Sequence, residues 1–386
     1  MKLLLYGDIH AANLYSFNVK RSKYQFTEYS RVDELYSTLA WIAKVTKDNG
    51  VMMTINMGDT FHQALRFYVE RYNTVVKAVN SINQCSLSKS GVILEGNHDR
   101  SEEVSAVDTF ENVQGTVLVK NSIKVKYISE ANSHLIFVPY IRDPEKTREA
   151  FQALHEKYKN RAKQTNIYVF CHLDIREAYE GIMSSTYQLN QLNTYDTLKL
   201  GIYKAVFSGH IHFKRKINEN FYYVGSVLNH NFGDSVARKG VTIVDLDPDG
   251  FKIEYKENPY CPFFVKFNLE KPDSVKSKLE TIKKELIKFP STNVYARIFS
   301  LSSENGRKKS SEFIRDFSHL FTAHEVKNLE SEEELDASEL ITSTMDHINV
   351  FDLIVEHGTK ILKSQEKSVE EIEQYIMRLK RVCQLN

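Results

Sequence analysis

The sequence has few cysteines. Its 386 residues include four, Cys85, Cys171, Cys261 and Cys383, and no two form a CxxC pair. That argues against a disulfide framework and against a thiolate zinc site, and it fits a reducing compartment. Long hydrophobic runs are lacking too: none approaches the roughly 20 residues of a membrane-spanning helix. The opening run Met1-Lys2-Leu3-Leu4-Leu5-Tyr6 is too short for a secretory leader and is closed by Gly7-Asp8. Charge of one sign does not dominate. Lys and Arg number 51 against 50 Asp and Glu, a net +1, so any phosphate-binding surface must come from local basic residues or bound metal. There is no Walker A sequence, internal repeat or low-complexity tract. The expectation is a soluble intracellular, cytoplasmic protein with no membrane partner.

What is present is an ordinary globular composition, 42% hydrophobic and 26% charged, which predicts a substantial core. The length allows two domains, or one large domain with appendages. Lys2 to Tyr6 reads as a buried strand, residues 31–48 as an amphipathic helix through Val32, Leu35, Leu39, Ile42 and Val45, and Val51 to Met57 as a second strand. A helix over 65–82 and a strand over Gly91 to Leu94 complete a βαβαβ order, which predicts parallel strands covered by helices. Further strands are predicted at His134 to Tyr140, Asn166 to Cys171, Lys204 to Phe207, Phe221 to Val224 and Val241 to Asp245. Asp143 and Pro144 open a helix running to about Lys163. Asp247-Pro248-Asp249-Gly250 closes a hairpin. After about Pro259 the pattern changes to a small β-α-β-α module: strands at Phe263 to Phe267 and Val294 to Ser300, a Lys-rich helix from Ser274 to Lys288, a turn at Asn305-Gly306 and a helix over 310–320. From Glu330 the chain becomes acidic and helical. Ser368-Val369-Glu370-Glu371 forms a capping box before a stripe of Val369, Ile372, Ile376, Leu379 and Cys383.

Five predicted strand ends carry metal-ligand residues: Asp8-Ile9-His10, Gly58-Asp59, Gly96-Asn97-His98-Asp99, Cys171-His172 and Gly209-His210-Ile211-His212. In open α/β sheets, functional residues gather at the carboxyl ends of strands. Asp8, His10, Asp59, Asn97, His172, His210 and His212 mix oxygen and nitrogen donors without thiolate. Such a set suits Mn²⁺, Fe²⁺ or Zn²⁺ better than Ca²⁺ or a structural zinc. Seven donors are too many for one tetrahedral ion but enough for two ions sharing a carboxylate, roughly 3.5–4 Å apart, the clamp of phosphoester hydrolysis. Gly209 is expected to let the backbone turn so that both neighbouring imidazoles reach the pair.

The order D-x-H, G-D, G-N-H-D, H, G-H-x-H resembles the calcineurin-like metallophosphoesterase superfamily. Gly58-Asp59-Thr60-Phe61-His62, Gly225-Ser226 and Lys239-Gly240 narrow the resemblance to the SbcD-type nuclease subunits of double-strand-break repair, with phage versions closest in size. It covers residues 1 to about 245. It implies an α/β fold (α+β by some schemes): a two-layered β-sandwich core flanked by helices over 1–258, a small α/β DNA-capping domain over 259–330, and a helical partner-binding tail over 331–386. It implies a metal-dependent DNA exonuclease and endonuclease in repair, recombination or replication. Two divalent ions are expected, Mn²⁺ first, with Mg²⁺, Fe²⁺ or Zn²⁺ as alternatives. The expected partners are DNA ends and hairpins and an SbcC-type coiled-coil ATPase, with a homodimer inside a heterotetramer. By this resemblance Asp8, His10, Asp59 and His212 hold one metal; Asp59, Asn97, His172 and His210 hold the other. His98 faces the leaving oxygen with Asp99 as its orienter, and His62 feeds the DNA strand to the metals. Leu173 after His172 departs from the small or polar residue of many relatives.

Other readings stay open. Asp99 orients His98 or only orders its loop. His62 has a role in DNA handling or caps the following helix. Lys20, Arg21, Lys23, Lys214 and Arg215 contact DNA phosphates or form solvated faces. His134, His155, His230, His319, His324, His347 and His357 have no motif context and read as structural. The rival functions are a small-molecule or protein phosphoesterase on the same fold and a non-catalytic scaffold.

Overall fold

In the computed structural model, Lys2–Tyr6 forms β1, and its side chains alternate between two cores. The structure describes residues 1–11, 30–62, 69–101, 104–179, 192–234 and 237–331. Lys20, Arg21, Lys23 and the tail beyond Ser331 lie outside the described residues. Leu3 and Leu5 enter a cluster shared by two sheets, whereas Leu4 and Tyr6 enter a cluster roofed by helices. Burial on both faces is why this strand reads as a continuous apolar run.

The first sheet continues through α1 (Ser30–Asp48), β2 (Met53–Asn56), α2 (Val69–Gln84), β3 (Gly91–Leu94) and β4 (Thr116–Val119). β1 to β4 are parallel neighbours. The second sheet is formed by β5 (Lys124–Ile128), β6 (Ser133–Val138), β7 (Asn166–His172), β8 (Ala205–Gly209), β9 (Arg215–Lys216) and β10 (Phe221–Tyr223), in the order β5-β6-β7-β8-β10-β9. The chain then returns to the first sheet as the hairpin β11 (Gly240–Leu246) and β12 (Phe251–Glu257), with β11 antiparallel to β1. Leu3, Leu5, Ile55 and Leu94 of one sheet face Leu135, Phe137, Phe170 and Phe207 of the other, which makes a β-sandwich. α1 and α2 cover the first sheet through Leu35, Leu39, Ile42, Val75 and Val79. α3 (Pro144–Tyr158) covers the second through Phe151, Leu154 and Tyr158. Asp143 caps α3, accepting from Glu145 N at 2.9 Å, and Pro144 occupies its first turn. The fold is thus a mixed α/β sandwich with its sheets flanked by helices, as the sequence pattern implies.

The sequence boundary at 258/259 falls in the link between β12 and β13 (Phe263–Asn268). The second module adds α4 (Pro272–Lys288), β14 (Val294–Leu301), α5 (Glu304–Phe317) and β15 (Ala323–Leu329). Its three strands are parallel. The sequence reading requires correction here. Asn305-Gly306 is not a turn: Ser303 caps α5 by accepting from Gly306 N at 3.1 Å, so the helix begins at Glu304. The module also has a third strand. β4, β5 and β15 escaped the periodicity because each is a sheet edge, with one strand neighbour and polar or exposed positions.

Phe263, Val265 and Phe267 pack under α4 and α5, whereas Phe264 and Tyr295 meet Phe232 of the sandwich. Arg31 lies over the Phe264 ring at 4.8 Å and pairs with buried Glu34, which also accepts from the Tyr295 hydroxyl at 2.8 Å. No described helix is long and apolar enough to cross a membrane.

Candidate metal centre

β1, β2 and β3 of one sheet and β7 and β8 of the other end at one place. His172 closes β7 and pairs in register with Gly209, so His172 and His210 emerge side by side. Asp8, Asp59 and Asn97 follow β1, β2 and β3. The turns are tied across strands: Asp8 N donates to Gly58 O (3.0 Å), His10 N to Asp59 O (2.9 Å) and His210 N to Asp8 Oδ1 (2.9 Å). Asp8, His10, Asp59 and His210 have φ of 48°, 44°, 49° and 79°. This left-handed region is sparsely used by residues with a Cβ, and such conformations cluster at functional sites.

The structure brings all seven candidate ligands together. Asp8, His10 and His212 form one compact group; Asp59, His172 and His210 form another. Asp59 Oδ2 faces both, 3.3 Å from His172 Nε2 and 3.6 Å from His10 Nε2. Asn97 Oδ1 lies 2.9 Å from His172 Nε2 and 2.9 Å from His210 Nδ1. His172 Nδ1 donates to the Met57 carbonyl at 2.9 Å, which leaves its Nε2 lone pair for the site.

The electrostatics suit cations. Burial pushes the Asp8 carboxyl up, while His172 and His212 pull it back. Burial acts the same way on Asp59, but His172 beside it holds it well below the usual carboxylate range. Burial opposes charge on His172, yet Asp59 and Asp8 raise it to about 9. Burial and the surrounding imidazoles hold His10 well below its ordinary value. Asp8 Oδ2 is buried without a hydrogen-bond partner. His10 Nε2 and His212 Nε2 point at each other across 3.0 Å. Carboxylate oxygens, one of them unpartnered, and imidazole nitrogens converging on one place form a donor set that divalent cations complete, and its residues fit the two-ion expectation.

His62 and His98 stack beside this centre, 5.3 Å between centroids and 14° from parallel. His98 N donates to Asp59 Oδ1 at 2.8 Å. Its Nδ1 lies 2.9 Å from the His62 carbonyl and must donate to it, so Nε2 is left for a substrate. His62 Nδ1 is 3.3 Å from His10 Nδ1. Residues 63–68, between His62 and α2, lie outside the described residues. Asp99 differs from the expectation of an orienter. It is fully buried, and its oxygens accept from Phe61 N (2.8 Å) and Gly96 N (3.0 Å). It orders the loop, and the His62 carbonyl orients the His98 ring. Burial, then Asp59, pushes the Asp99 carboxyl up to about 8.

Three more readings change. His230, set aside as structural, lines the same small cavity of about 50 Å³ with His10, His98 and His212, and its Nε2 lies 2.8 Å from Asp8 O. Its signal was weak because it stands in a loop, 222 residues from Asp8. Gly209 is required by close approach rather than by a turn. A Cβ there would lie 2.5 Å from Met57 O, and the positive φ belongs to His210. Leu173 packs into the core outside the second sheet and does not crowd the centre. Lys214 places its ammonium 3.8 Å from the Tyr255 ring centroid, and Arg215 Nη1 donates to Ala178 O at 2.8 Å, so both make contacts within the fold.

The sequence pattern of the calcineurin-like phosphoesterase family matches residues 1–214. A predicted phosphoesterase, 244L, of Invertebrate iridescent virus 6 is 26% identical over 195 residues, covering 50% of this chain and 64% of the viral protein. Another, 078R, of Invertebrate iridescent virus 3 is 27% identical over 224 residues, covering 56% and 58%. The matches span about three fifths of these relatives' length. Among solved structures, a dimetal phosphatase from Danio rerio aligns over 67% of this chain and 96% of its own, with 9% identity and a TM-score of 0.42. A phosphopantetheinyl hydrolase from Mycobacterium tuberculosis aligns over 58% and 89%, with 11% identity and a TM-score of 0.35.

Proposed function

The chain belongs to the calcineurin-like phosphoesterase family, and on that premise we propose that it hydrolyses phosphodiester bonds of DNA with two divalent cations, as the nuclease subunit of an SbcCD-like complex. The observation that carries the phosphoester reading is the convergence of Asp8, His10, Asp59, Asn97, His172, His210 and His212 on one buried centre. Two divalent cations held there would supply hydroxide at neutral pH and neutralise phosphate charge. Asp59 would be the residue shared by the two ligand groups, since its Oδ2 faces both. Asn97 contributes a neutral oxygen, and its backbone neighbour His98 ties the same loop to Asp59 Oδ1. With Nδ1 committed to the His62 carbonyl, His98 presents Nε2. As imidazolium it donates a proton to the leaving alkoxide, a contribution of about 10²–10⁴ in rate. The stacked imidazoles of His62 and His98 line the cavity at the centre, and a strand entering there would meet them.

Support for a macromolecular substrate comes from the second module. The loop Asn229–Asp234 touches the centre through His230, and the same loop meets the module through Phe232, 5.3 Å from the Phe264 ring, with Arg297 4.2 Å from the Phe232 centroid. A module anchored beside the centre is expected of a protein that holds a long substrate. Mn²⁺ is the proposed ion, and the tail beyond Ser331 the proposed contact with an SbcC-type ATPase. The test is cleavage of labelled linear and hairpin DNA, beside bis-p-nitrophenyl phosphate, in Mn²⁺ or Mg²⁺. Metal-dependent DNA cleavage is expected. Turnover of the small diester with DNA left intact refutes the nuclease reading. Failure to turn over either substrate with Mn²⁺ bound refutes the hydrolase reading. Deleting residues after Glu330 should abolish ATPase binding and leave metal-dependent hydrolysis.

A further inference from the structure

We infer that Asp174 and Asp234 are positioning residues for the double-histidine segment: each carboxylate backs one imidazole on the ring nitrogen turned away from the ligand groups. This rests on the two-ion reading above. His210 directs Nδ1 to Asn97 Oδ1, inside the centre, and its Nε2 lies 3.6 Å from Asp174 Oδ2. His212 directs Nε2 to His10 Nε2, inside the centre, and its Nδ1 lies 3.4 Å from Asp234 Oδ1. The two rings therefore enter the centre by opposite nitrogens, and each has a carboxylate behind it. The other two imidazoles of the centre are backed differently, His172 by the Met57 carbonyl and His10 by the ring of His62 through Nδ1. Among the described residues, it is the double-histidine segment that has carboxylates behind its rings.

A carboxylate behind a ligating imidazole fixes which nitrogen carries the proton, sets the ring orientation and raises the basicity of the nitrogen that faces the metal. Asp234 is built for this. Its Oδ2 accepts from His230 N at 2.6 Å, and its Oδ1 lies 3.4 Å from Lys239 Nζ. Lys239 Nζ in turn donates to the His212 carbonyl at 2.6 Å. One buried ion pair thus holds His212 by its ring and by its main chain. Burying such a pair is costly and adds little net stability, so its placement is better explained by what it positions than by what it stabilises. Asp174 is more open, with 27% of its side chain accessible, and its Oδ1 is buried without a hydrogen-bond partner.

The simpler alternative is that Asp234 only neutralises Lys239. Asp174→Asn and Asp234→Asn in the full-length chain separate the two accounts, because amide replaces carboxylate at constant shape. MnCl₂ titration followed by electron paramagnetic resonance gives stoichiometry and affinity, and the thermal midpoint of the metal-free protein reports folding. The wild type is expected to take up two Mn²⁺. Each variant should bind one of its two ions about 10–100-fold more weakly while remaining folded. A purely structural role would lower the metal-free midpoint and leave Mn²⁺ affinity unchanged. Affinities for both ions within about twofold of wild type in both folded variants overturn the inference, since the expected loss is at least tenfold. If Asp234→Asn does not fold, Asp174→Asn decides alone by the same criterion, its site being partly open. A wild-type chain that binds no Mn²⁺ overturns the two-ion reading itself, and this inference with it.

Discussion

Gly209→Ala tests whether the centre depends on close approach of two strands. A Cβ at residue 209 would sit 2.5 Å from Met57 O and 3.0 Å from His172 Nδ1. Carbon–oxygen contacts between neighbouring strands settle at about 3.3–3.6 Å, so β8 and the Met57 carbonyl must separate by about 1 Å. That carbonyl is the acceptor that holds His172 Nδ1 at 2.9 Å. The substitution therefore loosens the anchor of one ligand and displaces the next, His210. Overpacking of this size costs about 1–3 kcal/mol of stability. A misplacement of about 1 Å at a reacting centre costs about 10²-fold in rate. The expected result is a folded chain with a modestly lower thermal midpoint, weakened Mn²⁺ binding and phosphodiester hydrolysis down by about two orders of magnitude. Gly201→Ala is the control, because its Cβ meets nothing nearer than the Tyr195 hydroxyl at 3.4 Å. A Gly209→Ala protein that hydrolyses within about threefold of wild type would refute the reasoning, whatever its stability.

His98→Ala keeps the backbone N–H that holds Asp59 Oδ1, so Mn²⁺ stoichiometry should be unchanged while hydrolysis falls by about 10²–10⁴; metal lost along with activity would assign His98 to the ligands instead. Asp99→Ala strands the buried N–H groups of Phe61 and Gly96, each worth about 1–3 kcal/mol, and should appear in denaturant unfolding before any effect specific to the His98 ring. Mn²⁺ should raise stability by about 2.7 kcal/mol per independent site at a hundredfold excess over Kd, and a chelator should reverse the shift; a thermal midpoint indifferent to both would argue against a folded-state metal centre.

The parts of the centre that could be read from the sequence are those whose position depends on strand ends. Asp8, Asp59, Asn97 and His210 each follow, and His172 closes, a largely apolar strand of four to seven residues, and parallel pairing within each of the two sheets brings such ends to the same edge by construction. No knowledge of loops is needed for that step. The parts that could not be read depend on where a loop returns. Nothing near Asn229–Asp234 announces that His230 reaches the Asp8 carbonyl or that Asp234 stands behind His212, because the contact depends on the path of the loop that leaves β10 before β11 pairs back onto β1. The same limit explains Asp99 and Gly209. Sequence shows that a carboxylate adjoins His98 and a glycine adjoins His210, but adjacency along the chain does not say which group each meets across the sheets. Asp99 turns inward to two backbone N–H groups, and Gly209 yields its side-chain space to the Met57 carbonyl. Ligand identity is thus a property of strand ends, whereas the orientation of those ligands is a property of the contacts between distant segments. On the two-ion proposal, the residues that would tune the ligands from behind are Asp174 and Asp234 by their carboxylates and Met57 by its backbone carbonyl.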